Sequence, residues 1–137
     1  MLIASGFATT LLMFLLALLA AIAVVAAFRY WRIFRVKKYT QFLSESQFQA
    51  GIRKAQVIDL REDQSFENGH ILGARNIPYA SLKMMYQQLR PDLPVYLYDQ
   101  TKVLSVQAAK FLHQQGFREL AILNEGYQKW DGKVKKG

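Results

Sequence analysis

The chain has no cysteine in its 137 residues. Disulfides and thiolate metal sites are therefore excluded, and so is any sulfur-based nucleophile, because the reactive species in that chemistry is the thiolate itself. Charge is missing from one region: residues 1–28 contain no Asp, Glu, Lys or Arg. This stretch is dominated by Leu, Ala, Val, Ile and Phe and shows no polar face, which argues against a core helix of a soluble protein. Nothing basic precedes it except the amino terminus, and the run is too long for the apolar core of a cleaved signal peptide. Roughly 20 apolar residues suffice to cross a bilayer, so residues 1–28 read as a retained transmembrane anchor. Further absences narrow the chemistry. There is no glycine-rich phosphate loop and no Gly-x-Ser-x-Gly turn, and the two histidines and scattered carboxylates lack metal-ligand spacing. The reading contains no cofactor and no metal.

What is present is positive charge in one place. The formal net charge is +8. Arg29, Arg32, Arg35, Lys37 and Lys38 follow the apolar run directly, with Tyr30 and Trp31 where interfacial aromatics belong. Residues 29–38 thus form a basic juxtamembrane segment. Lys and Arg collect on the cytoplasmic side of a span, which predicts a single-pass plasma-membrane protein with its N-terminus outside and its C-terminal domain cytoplasmic. Each basic residue near anionic lipid contributes about 1 kcal/mol of attraction, so the bilayer accounts for much of the charge. Nucleic acid is not expected as a partner, since the basic residues are not interleaved with aromatics on a recognisable module. Ala17, Ala20, Ala21 and Ala27 permit close helix approach, and so allow a homo-oligomer through the anchor.

Residues 39–137 form the second domain, of a size for one small core. Strands are predicted at 39–43, 55–60, 74–77, 94–98 and 120–123, the second being the continuous apolar run of a strand covered on both faces. Ser44-Glu45-Ser46-Gln47 fits a capping box opening a helix to about Ala50, with Gly51 as its stop. A helical turn is predicted at 63–68 and ended by Gly69. Ser81 is predicted to cap a helix through Leu89. A longer helix is predicted at 103–115, ended by Gly116, and a short one at 127–130. The Lys-rich tail after Asp131 reads as frayed and solvated. Strands alternating with helices argue for an α/β domain with a parallel sheet and helices on both faces, preceded by one transmembrane helix.

Residues 57–78 read VIDLREDQSFENGHILGARNIP, and residues 94–117 read PVYLYDQTKVLSVQAAKFLHQQGF. Asp59, Arg61, Phe66, Gly69, His70, Ile71, Gly73, Ala74, Ile77 and Pro78 fall in an order and spacing that resembles the rhodanese family. The resemblance covers about residues 40–131. Physically these residues look structural. Asp59 and Arg61 can pair and tie a strand end to a neighbouring loop, Gly69 and Gly73 permit tight backbone, and His70 is placed to bond a main-chain group. His113 reads as a surface residue.

The resemblance implies an active-site loop at residues 99–105, and there the chain departs from it. Sulfurtransferases of the family begin this loop with a cysteine and end it with Arg or Lys. The loop amides and the following helix converge on the sulfur and its bound anion. Here the loop reads Asp99, Gln100, Thr101, Lys102, Val103 and Leu104, followed by Ser105. Asp99 stands at the nucleophile position and Leu104 at the basic one. Lys102 replaces a common loop glycine, and Glu125 replaces the first of two later glycines, while Gly126 and Trp130 fit. A carboxylate inside a ring of amides would satisfy those donors itself and repel an incoming anion. The resemblance thus implies an inactive member, a pseudoenzyme acting as a protein-binding or regulatory module at the cytoplasmic face of a bacterial membrane. Two alternatives are an enzyme with altered chemistry at Asp99 and a structural component acting through its anchor.

Overall fold

The computed structural model describes residues 2–137, with side chains from Ala4 onward, as two units meeting in sequence between Arg35 and Val36. The first unit is helical. Helix α1 (Leu2–Val36) has 35 residues, which at 1.5 Å each is about 52 Å of helix. Its most apolar stretch has a mean hydropathy of 3.0 and none of it is buried, so α1 is long and apolar enough to cross a membrane. The basic segment does not interrupt it. Arg29, Arg32 and Arg35 continue the helix, and the Arg32 and Arg35 guanidinium groups lie over the Phe28 and Trp31 rings, at 5.7 and 4.8 Å. Partners four residues apart share a helix face, which is why each arginine finds an aromatic one turn earlier.

The second unit is built on a five-stranded parallel sheet of order β1-β6-β5-β2-β4. Its strands are β1 (Thr40–Leu43), β2 (Gln56–Asp59), β4 (Arg75–Asn76), β5 (Val95–Tyr98) and β6 (Leu120–Leu123). The helices are α2 (Glu45–Gly51), α3 (Asp63–Asn68), α4 (Leu82–Met85) and α5 (Val103–Gln114). All four residues of β6 are buried, as a strand covered on both faces requires. One core gathers Ile58, Leu97 and Ile122 with Leu82, Ala108 and Leu112 of α4 and α5. The other gathers Val57, Tyr98 and Leu123 with Phe48 of α2. Val57 and Ile58 fall into different cores because successive strand side chains point to opposite faces. The α/β class with helices on both faces is the one read from the sequence.

The capping box is formed at α2. The Gln47 backbone amide donates to the Ser44 hydroxyl at 3.3 Å, and the Ser44 backbone amide donates to the Gln47 side-chain Oε1 at 2.9 Å. Ser44→Ala is expected to lower unfolding stability by about 1 kcal/mol. Denaturation of the Ser44→Ala chain beside the parent checks this, and an unchanged midpoint would show that the box contributes nothing.

Two expectations about local structure are corrected, and one holds. Gly51 is the last residue of α2, where the stop was expected, and the chain runs on into a 3-10 turn at Ile52–Lys54. With φ at −100° Gly51 has an ordinary backbone. A Cβ there would collide with the Tyr96 hydroxyl, so glycine makes room for a side chain from β5. Ser81 makes no cap. It ends a 3-10 turn at Tyr79–Ser81, and the helix after it is the four residues of α4, followed by another 3-10 turn at Tyr86–Gln88. The tail is exposed but not frayed. Strand β7 (Val134–Lys135) pairs antiparallel with β3 (His70–Ile71), and the Leu72 amide donates to the Lys133 carbonyl at 3.1 Å.

Candidate functional site

Parallel strands bring their C-terminal ends to one edge of the sheet, and Asp59 ends β2 there while Asp99 follows β5. The two carboxylates do different work. Asp59 is fully buried and Arg61 is 9% exposed. The Arg61 guanidinium donates to both Asp59 carboxylate oxygens, the shortest bond being 2.8 Å, and the Arg61 amide donates to Asp59 Oδ1 at 2.9 Å. A further bond of 2.7 Å runs from the guanidinium to the Gly69 carbonyl, so the pair ties the end of β2 to the loop after α3. The Tyr127 ring lies 4.0 Å from the guanidinium carbon. Burial works against the Arg61 charge, but the hydrogen bond and charge of Asp59 outweigh it and hold its pKa above the ordinary value.

Tyr98 is buried beside this pair and accepts a bond from the Ile71 amide at 3.1 Å. Burial, reinforced by the Asp59 charge, pushes its phenol well above the usual range. His70 stacks on Phe66 with ring centres 3.6 Å apart, and its Nδ1 is 2.8 Å from the Phe66 carbonyl. Gly73 has φ at +91°, a region that favours glycine. Ala74 packs beside the second core, and Pro78 leads the turn at Tyr79–Ser81. His113 is exposed and stacks on Tyr39 at 4.0 Å.

Asp99 is only 3% exposed. Its Oδ2 accepts from the Leu104 amide at 3.2 Å, and its Oδ1 from the Ser105 amide at 3.3 Å and the Ser105 hydroxyl at 2.5 Å. Leu104 and Ser105 lie in the first turn of α5, whose amides have no partner within the helix. Lys102 at the helix start supplies no side-chain cap. Asp99 thus caps α5 from outside, and an anion at a helix N-terminus is further favoured by the helix dipole. The Leu104 and Ser105 amides and the Ser105 hydroxyl are thus taken by the protein's own carboxylate.

The outer side of the loop is fixed by the segment after β6. The Tyr127 amide donates to the Asp99 carbonyl at 2.9 Å and the Gln128 amide to the Gln100 carbonyl at 3.2 Å. Gly126 makes this approach possible: its φ is +74°, and a Cβ there would fall on the Gln100 and Thr101 carbonyl oxygens. The Lys102 ammonium reaches the Asn124 carboxamide at 3.2 Å. Gln100, Thr101 and Val103 are exposed at the mouth, and Glu125 is exposed as well. Among the described residues no three His, Asp or Glu side chains gather in a group suited to a metal ion.

Sequence reasoning missed the Ser105 hydroxyl as the shortest bond to Asp99, the Tyr98 and Tyr127 rings around Arg61, and the contact that requires Gly126. Serine one place past a loop's basic position carries no signal that its side chain turns inward. Contacts between segments distant along the chain carry none either.

The family description of the rhodanese-like domain matches residues 44–133. The chain belongs to the rhodanese-like family. One relative of this rhodanese-like chain is the Bacillus subtilis protein YqhL, 53% identical over 93 residues, or 68% of this chain and 74% of YqhL. Another is the thiosulfate sulfurtransferase GlpE of Shewanella oneidensis, 33% identical over 78 residues, or 57% of this chain and 77% of GlpE. Among solved structures, a rhodanese-related protein from Thermoplasma volcanium superposes with a TM-score of 0.65 at 23% identity. That superposition covers 69% of this chain and 97% of the other, and shows the shared fold.

Proposed function

We propose that this rhodanese-like protein is anchored in the membrane by α1, does not transfer sulfur, and binds a protein partner at the cytoplasmic face through the 99–105 loop. The observation that carries the reading is Asp99. It stands where the family's cysteine stands, and its carboxylate accepts the Leu104 and Ser105 amides and the Ser105 hydroxyl. A thiosulfate ion entering this loop meets a negative charge held at the Leu104 and Ser105 amides, and no thiol is present to take up sulfur. Leu104 in place of a basic residue acts in the same direction. Support for a docking role comes from the mouth itself, where Gln100, Thr101 and Val103 are exposed on a loop pinned from behind by Tyr127 and Gln128. A rigidly held loop loses little entropy on binding. The orientation is supported by Arg29, Arg32, Arg35, Lys37 and Lys38 following the apolar run.

Two assays on the full chain test this reading. Thiosulfate and cyanide supplied to detergent-solubilised protein should yield thiocyanate only at the uncatalysed rate, and turnover matching a cysteine-bearing relative assayed alongside would overturn the inactive reading. Crosslinking in membranes should capture a partner that is lost in Thr101→Glu/Val103→Glu, two exposed positions whose change leaves the core intact. Capture equal in both forms would move the binding role from the loop to α1 and its basic collar.

A further inference from the structure

Tyr127 takes part in two layers of the molecule at once. Its backbone belongs to the 99–105 loop: the Tyr127 amide donates to the Asp99 carbonyl at 2.9 Å, and the next amide, of Gln128, donates to the Gln100 carbonyl at 3.2 Å. Its side chain belongs to the buried pair. The ring lies 4.0 Å from the Arg61 guanidinium carbon and stacks on Tyr98, with ring centres 6.0 Å apart. Its hydroxyl end reaches Gly69, where an added Cβ would stand 3.0 Å from the oxygen.

The guanidinium cannot swing away from the ring. Both Asp59 carboxylate oxygens and the Gly69 carbonyl hold it, and Arg61 is buried. A cation over an aromatic face gains more as it is desolvated. The two loop bonds are in a weaker position. Gln100 and Gln128 are exposed, so water can replace either partner and such bonds hold only modestly by themselves. Few torsions separate the seated ring from the backbone that makes those bonds, so holding the ring restrains the backbone.

We propose that Tyr127 is the positioning residue of the 99–105 loop: its ring, seated on the Arg61 guanidinium, sets the backbone that holds the Asp99 and Gln100 carbonyls. The Asp59–Arg61 pair thereby shapes the loop without touching it. That the shape serves a protein partner rests on the docking reading above, whereas the positioning itself does not.

The test uses the full chain in detergent and compares Tyr127→Phe and Tyr127→Leu, with Ser44→Ala as a control that weakens the fold at α2, away from the loop. Amide hydrogen exchange, corrected for the intrinsic rate of each sequence, is read at position 127, at Gln128 and at Ile122, which is fully buried in β6. Tyr127→Leu keeps an apolar side chain but removes the aromatic face, and should speed exchange at 127 and 128 about tenfold. Tyr127→Phe keeps the face and should stay close to the parent. Ser44→Ala should speed Ile122 without speeding 127 and 128, because a local opening of the loop leaves α2 folded. Acceleration at Ile122 alone in Tyr127→Leu would assign the ring to the core and overturn the proposal. Equal acceleration at 127 and 128 in Tyr127→Phe would overturn it too, since the aromatic face would then not carry the effect. Crosslinked partner capture separates the two readings. Capture lost in Tyr127→Leu and kept in Tyr127→Phe supports both. Capture unchanged in a chain whose 127 and 128 amides are loosened would sink the docking reading and leave the positioning role standing.

Discussion

The Asp59→Ala chain should lose about 3–5 kcal/mol of unfolding stability, the cost of stranding a buried charge. That is a large share of the roughly 5–15 kcal/mol that holds a small domain together. The loss has a specific origin. Arg61 would keep its bond to the Gly69 carbonyl and its contact with the Tyr127 ring, but no negative charge would remain for a guanidinium already 9% exposed. Because the penalty lies in the orphaned charge rather than in the lost bond, removing both charges should be far milder. The double variant Asp59→Leu/Arg61→Met is therefore expected to recover most of the stability lost in Asp59→Ala. Guanidinium denaturation followed by Trp130 fluorescence in a Trp31→Phe background reads this out, since Trp130 packs edge-on against Phe48 in the core. Equal losses in the single and double variants would mean that the pair matters through shape and not through charge.

Gly126→Ala should cost about 2–5 kcal/mol, combining left-handed backbone strain with overpacking. Its effect reaches beyond stability. The new methyl group would displace the Gln100 and Thr101 carbonyls, breaking the bonds by which Tyr127 and Gln128 hold the loop. Hydrogen exchange should show faster exchange at the Tyr127 and Gln128 amides, and partner capture by the loop should fall together with stability. If partner capture survived a loop shown to be displaced, the docking reading would fail on its own terms. A chain that retained both stability and slow exchange would show that the segment after β6 yields easily, contrary to the close contact seen here.

Local signals in the sequence translated well into structure. The Ser44–Gln47 box was legible because both of its bonds lie within four residues, and the buried strands were legible because a parallel sheet demands continuous apolar runs. What escaped was set by contacts between distant segments. Gly51 was legible as the end of α2, but its close approach to the Tyr96 hydroxyl was not. The tail looks frayed because Lys133, Lys135 and Lys136 dominate it, yet β7 needs only backbone groups to pair with β3, and composition does not report those. Ser81 precedes an apolar stretch as a cap would, but Pro78 leads a 3-10 turn that puts Ser81 inside it. At the 99–105 loop the identity of Asp99 was enough to foresee a carboxylate among the amides, since α5 had to begin nearby. The Ser105 hydroxyl and the Gly126 contact required the packed arrangement.

The edge position of β1 also orders events in time. Thr40 pairs with Leu120, so the strand that follows α1 waits for a partner some 80 positions further along the chain. Contacts that span such a loop close late, because the entropy of bringing the ends together must be met first. Strands β2 and β5 can join while β1 is still unattached, and β1 zips on when β6 arrives. The residues that enter β1 are thereby expected to become ordered after the centre of the sheet.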